Sequence, residues 1–184
     1  MTDTYILCDD DDMCLKHIDN TNHFILTFSV LEKYNNVVEI VESDELFILL
    51  KTLNDDNITN VEQTILQNNI YESILTIKTP KTLHTSRSVV PVCKIIIKYT
   101  KNITDKITTL SDASQSNKHI IQVKDNIEEI YISNFCLNIT NNNDNTRFDI
   151  TLAFDANIND SINKFVALYI KKLFKKLKLY FDMV

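Results

Sequence analysis

The chain contains no glycine anywhere in its 184 residues. Phosphate-cradling loops need backbone at positive φ, or an approach so close that any Cβ would block it, and glycine is what meets both needs. A P-loop, a dinucleotide-binding glycine fingerprint and a nucleophile elbow are therefore unavailable, which removes most nucleotide-dependent enzyme classes. The chain also lacks tryptophan, holds two prolines (Pro80, Pro91) and two arginines (Arg87, Arg147), and is rich in Ile, Asn, Lys and Asp. The missing residues are those with G/C-rich codons, which points to an AT-biased genome.

Length and a 44% hydrophobic content suit one domain over residues 1–184 with a proper core, and flexible loops are expected near 54–60, 109–118 and 140–146. The net charge of −6 is unevenly placed: residues 159–184 carry six lysines against Asp160 and Asp182, so the rest of the chain is strongly acidic. The opening MTDTYILCDDDD has no basic n-region and is not read as a secretory signal. No stretch reaches the eighteen or so apolar residues that span a bilayer. The expectation is a protein of the cytosol or nucleus, with its four cysteines reduced.

Short apolar runs at 5–8, 13–18 and 23–31 read as a meander around an aspartate turn. The segment NVVEIVESDELFILLKTL (36–53) reads as strand, polar turn, strand, and Ser43 also allows a helix through Leu53 as a second reading. Asn60 followed by Gln63 offers a capping box for a short helix to about Asn69. Strands are expected at 70–78, within 89–99 beginning after Pro91, at 119–123, at 127–139 with a break near Asn134, and at 147–154. From Asp160 or Ser161 the period changes to three and four: Ile162, Phe165, Val166, Tyr169, Ile170, Leu173, Phe174, Leu177 and Phe181 make an apolar stripe opposite Lys164, Lys171, Lys175 and Lys178. The fold class is α+β, a mostly antiparallel sheet of seven to nine strands with one or two short helices and a long C-terminal amphipathic helix packed on it.

The densest chemistry is CDDDDMCLKH (8–17), two thiols, four carboxylates and an imidazole in ten residues. Zinc sites pair close ligands at two places in a chain, and Cys93 and Cys136 stand alone. In a hairpin, Cys14 and His17 differ by an odd number and point to opposite faces, so a shared site is not expected. The four aspartates lack the glycine and distal glutamate of an EF-hand loop and read as a solvated acidic tip. His17, His23, His84 and His119 join no local nucleophile signature. No enzyme activity, cofactor or metal is expected. The C-terminal stripe admits three readings: core packing, a subunit interface, or a basic surface for a membrane or nucleic acid, the last disfavoured by the acidic body.

Two segments resemble the small heterodimeric proteasome assembly chaperones of the third and fourth types, over residues 24–53 and 147–181. The first is the strand-turn-strand reading of NVVEIVESDELFILLKTL; the second is RFDITLAFDANINDSINKFVALYIKKLF (147–174), a strand, a polar turn and a long amphipathic helix. The resemblance implies a non-enzymatic heterodimeric chaperone whose partners are a related small subunit and the α subunits of the 20S proteasome. Neither a membrane nor nucleic acid is an expected partner on that reading. Phe165, Tyr169 and Leu173 are its candidate packing or partner residues, and Asp9, Asp10, Asp11 and Asp12 an acidic contact. The competing reading is a viral or host-interaction protein that binds a protein or nucleic acid through the Lys-rich C-terminal helix.

Overall fold

The computed structural model describes residues 4–10, 12–18, 21–66, 69–78, 92–113, 128–132, 134–142, 144–153 and 160–183. Along these run β1 (Thr4–Asp10), β2 (Met13–Ile18), β3 (His23–Val30), α1 (Tyr34–Glu42), α2 (Leu46–Leu53), β4 (Ile58–Ile65), β5 (Tyr71–Lys78), β6 (Val92–Ile103), β7 (Ile107–Asp112), β8 (Glu128–Tyr131), β9 (Cys136–Asn141), β10 (Thr146–Ala153) and α3 (Asp160–Met183). The architecture is α+β, as the periodicities imply.

Among the described residues ten strands form one sheet, nine of them antiparallel in the order β1-β2-β3-β10-β9-β7-β6-β5-β4. The two halves of the chain meet where β3 and β10 pair in an unbroken ladder from His23↔Ala153 to Val30↔Thr146. The long β6 has two neighbours on one side: residues 99–103 pair with β7, and residues 93–96 pair in parallel with the short β8. Alternation fixes which face is buried. In β3 and β10, Phe24, Leu26, Phe28, Phe148, Ile150 and Leu152 all point to the same apolar side. α3 lies across that face against β2, β3 and α2. Leu173, Phe174, Leu177 and Phe181 are buried there, each contributing about 1.5–3 kcal/mol.

The strand-turn-strand reading of 36–53 is not what forms. Both halves are helices, because Tyr34, Val37 and Val41 fall on one helical stripe, as do Leu46, Phe47 and Leu50. Burying those stripes outweighs the few tenths of a kcal/mol by which valine and isoleucine disfavour a helix. Ser43 ends α1 rather than starting a helix, and α2 begins after Glu45 without a side-chain cap. The join is a Schellman turn: Glu45 N–H donates to Ile40 O (3.0 Å) and Asp44 N–H to Val41 O (3.3 Å), with Asp44 at φ 62°. A chain without glycine has put aspartate where glycine is usual, as it also does at Asp12 (φ 59°) in the β1–β2 turn. Lys101 holds this turn, its Nζ donating to Val41 O, to Glu42 O and to Asp44 Oδ1 (2.6 Å) while sitting 4.4 Å over the Tyr71 ring.

The helix expected from Asn60 is instead the edge strand β4. Gln63 pairs across to Ser73 and reaches it as a side-chain donor rather than capping a helix. Residues 109–112 of the expected 109–118 loop belong to β7, and the strand expected at 119–123 lies outside the described residues. The break foreseen near Asn134 is present, between β8 and β9.

Candidate functional site

Among the described residues, the helices cover the sheet's inner face. Beneath α3, Phe28 stacks on Phe148 at 4.7 Å, Phe174 reaches Phe28 at 6.2 Å, and Phe148 meets Phe181 at 6.1 Å. Beneath α2, Phe47 packs on Tyr99 (5.8 Å) and on Phe135 (6.4 Å), and Tyr71 stacks on Tyr99 at 5.6 Å. Aromatic rings thus line both halves of a continuous apolar interior.

A few polar groups are set into that wall. Gln63 Nε2 donates to Ser73 Oγ (3.4 Å), which is 3.3 Å from the Tyr99 hydroxyl, and Ser73 is wholly buried. Burial lifts the Tyr99 phenol above its ordinary pKa of 10.0, and the Ser73 hydrogen bond only partly opposes this. Tyr34 Oη donates to Thr104 O (3.0 Å) and lies 3.0 Å from Thr108 Oγ1. His17, also buried, stacks on Phe24 at 4.7 Å with Nε2 2.7 Å from Thr21 O. Asn54 Nδ2 donates to Leu50 O and to Leu173 O, joining the end of α2 to α3. These groups can orient a mostly apolar molecule. Among the described residues no three His, Cys, Asp or Glu side chains converge as metal ligands.

An open groove of about 430 Å³ outside the core, between α1 and the end of α3, is lined by Glu32, Glu39 and Glu45 with Tyr180 and Phe181. Its carboxylates give it a different chemistry from the interior.

Of the residues singled out in the sequence, Tyr169 and Leu173 are buried in α3 within the apolar core, while the side chain of Phe165 lies outside the described residues. Asp9 and Asp12 are exposed at the β1–β2 turn, Asp10 pairs with Met13 in the β1–β2 ladder, and Asp11 is outside the described residues. Cys14 and His17 occupy opposite faces of β2, as their odd spacing requires. Sequence reasoning missed Ser73 and Tyr99. Ser73 had a signal, since in YESILTIK it shares the face of Leu75 and Ile77.

No protein-family model matches the chain, and no curated protein matches its sequence. Solved structures do match its fold. The human StarD13 (DLC2) lipid transfer and protein localization domain superposes with a TM-score of 0.65 at 10% identity, over 100% of this chain and 91% of that one. A STAR-related lipid transfer protein from Xanthomonas axonopodis gives 0.63 at 9%, over 97% and 98%, and human STARD10 gives 0.66 at 10%, over 95% and 71%. The chain has the fold of the STAR-related lipid transfer domains.

That finding overturns the likeness to proteasome assembly chaperones, and with it the related small subunit and the proteasome α subunits as partners. The likeness rested on a strand pair at 36–53 that is two helices, and on a strand followed by a helix, β10 and α3, which this chain has within a different fold. The competing reading, a host-factor or nucleic-acid surface on the Lys-rich helix, fails as well. Lys171 and Lys178 are only 5% and 9% exposed, Lys178 Nζ bonds Asp182 and Lys176 Nζ bonds Asp56 (2.9 Å), so the lysines do not form one free basic face. No described helix is long and apolar enough to cross a membrane.

Proposed function

We propose that this chain is a non-enzymatic lipid-binding domain that holds one largely apolar molecule between the inner face of its sheet and α3. The observation that carries the reading is the match in fold to lipid transfer domains across 95–100% of the chain. The chemistry of the enclosed face agrees with it: aromatic and aliphatic walls supply the affinity, and sparse buried hydroxyls, Tyr99 with Ser73 and Tyr34 with Thr108, supply orientation. Displacing a side-chain partner from such a hydroxyl costs little if a ligand hydroxyl or carbonyl replaces it.

The test is transfer between vesicles. Donor vesicles carry a fluorescent phospholipid or sterol with a quencher, acceptors carry neither, and dequenching is followed with and without the protein. Accelerated transfer that scales with protein concentration is expected. Transfer at the protein-free rate across phospholipid, sterol and fatty-acid probes would overturn the reading.

A further inference from the structure

The β1–β2 hairpin contains an irregularity that neither the fold nor the ligand reading uses. Ile6 pairs with Lys16, but Cys8 pairs with Leu15, so Leu7 is an extra residue in β1. In a regular ladder Cys8 would stand opposite Cys14, on the outer face. The bulge turns it over to the side of Leu15, which is fully buried under α3. There its Sγ accepts a hydrogen bond from Lys171 Nζ at 3.0 Å, across 163 residues of sequence. Lys171 is 5% exposed, and Cys8 is half-buried.

We propose that Cys8 and Lys171 form a covalent modification site, an oxidatively closed and reducible sulfur–nitrogen cross-link that staples β1 to α3. The oxidant is a hydroperoxide. With hydrogen peroxide, the Cys8 sulfur attacks one peroxide oxygen, the S–O bond forms as the O–O bond breaks, and the thiol becomes a sulfenic acid with release of one water. The Lys171 nitrogen then attacks sulfur, the S–N bond forms as the S–O bond breaks, and a second water leaves with the sulfenic oxygen. An ammonium at the start releases two protons, one leaving in that water and one to solvent. Sulfur is oxidised, peroxide is reduced, and a thiol reductant regenerates both side chains. Closeness decides the outcome, because a sulfenic acid held beside an amine condenses before further oxidant arrives. Cys14, half-buried on the opposite face of the same hairpin, is the internal control.

The experiment treats the reduced full chain with a few equivalents of hydrogen peroxide and maps peptides by mass spectrometry without added reductant. The expected product is a linked peptide pair containing Cys8 and Lys171, lighter by about 2 Da than the sum of its parts and separated by dithiothreitol. Lys171→Arg, which keeps a cation at that position but offers no amine, should leave Cys8 to accumulate sulfenic and higher acids instead. Cys8 carrying only added oxygen in the wild-type chain, or Lys171 linked to Cys14 as readily as to Cys8, would overturn the proposal. The outcome does not depend on whether the interior holds a lipid.

Discussion

Tyr99 carries a consequence of burial that can be measured directly. Tyr99 is 2% exposed and its phenol pKa lies above the ordinary value of 10.0, so the folded state holds the proton more tightly than the unfolded state. Below about pH 10 both states keep it and the contribution to stability is complete; above that the unfolded chain ionises first, and stability falls as pH rises through the raised folded value. In urea melts from pH 8 to 11, Tyr99→Phe should therefore lose less stability than wild type over the alkaline limb. Parallel pH curves for the two proteins would place Tyr99 in water. The backbone at Asp44 makes a second residue-scale case. Alanine in its left-handed conformation costs about 1–2 kcal/mol that glycine avoids, while both substitutions lose the bond to Lys101. Asp44→Ala should thus be less stable than Asp44→Gly by about that amount, and equal stabilities would mean that α1 does not end in this turn.

α3 is where the elements were most legible. Its three-and-four spacing gave its position and its buried side, and Leu177 and Phe181 are buried where the stripe put them. The lysines were less so. Lys171 and Lys178 lie near the edge of the stripe, and long aliphatic stems let such residues be buried while their ends find Cys8 and Asp182. No spacing rule reveals that, because the bulge which brings Cys8 to Lys171 belongs to another strand. The segment 36–53 was misread for a related reason. Valine, isoleucine and phenylalanine favour strands locally, and only the sheet face waiting to be covered selects the helical stripes. Denaturant unfolding of two variants checks the orientation of α3: Leu177→Ala, at a wholly buried position, should cost about 2–5 kcal/mol, whereas Leu179→Ala, at a position 49% exposed, should stay within about 0.5 kcal/mol. Similar losses at the two positions would contradict the packing of this helix.

At the scale of the whole molecule, the α+β class and the closing helix followed from periodicity, but the order of strands did not. β4 follows α2 in sequence yet sits at the far edge of the sheet from β1, and only long-range pairing between β3 and β10 places the two halves side by side. The proposed site was hidden for the same reason. The interior is assembled from strands scattered from residue 13 to residue 153, and a polar residue such as Ser73 acquires meaning only when Tyr99 and Gln63 are brought to it. Fold likeness at 7–10% identity shows the fold that no local motif revealed, and the lipid binding proposed on it is tested by ligand occupancy. The most direct measurement is native mass spectrometry of the full chain after incubation with mixed phospholipid and sterol vesicles and removal of the vesicles by centrifugation. A complex of one protein with one lipid is expected, persisting without detergent and with its adduct identified on release. A spectrum showing only the bare 21.4 kDa chain, from protein shown to be folded, would contradict it.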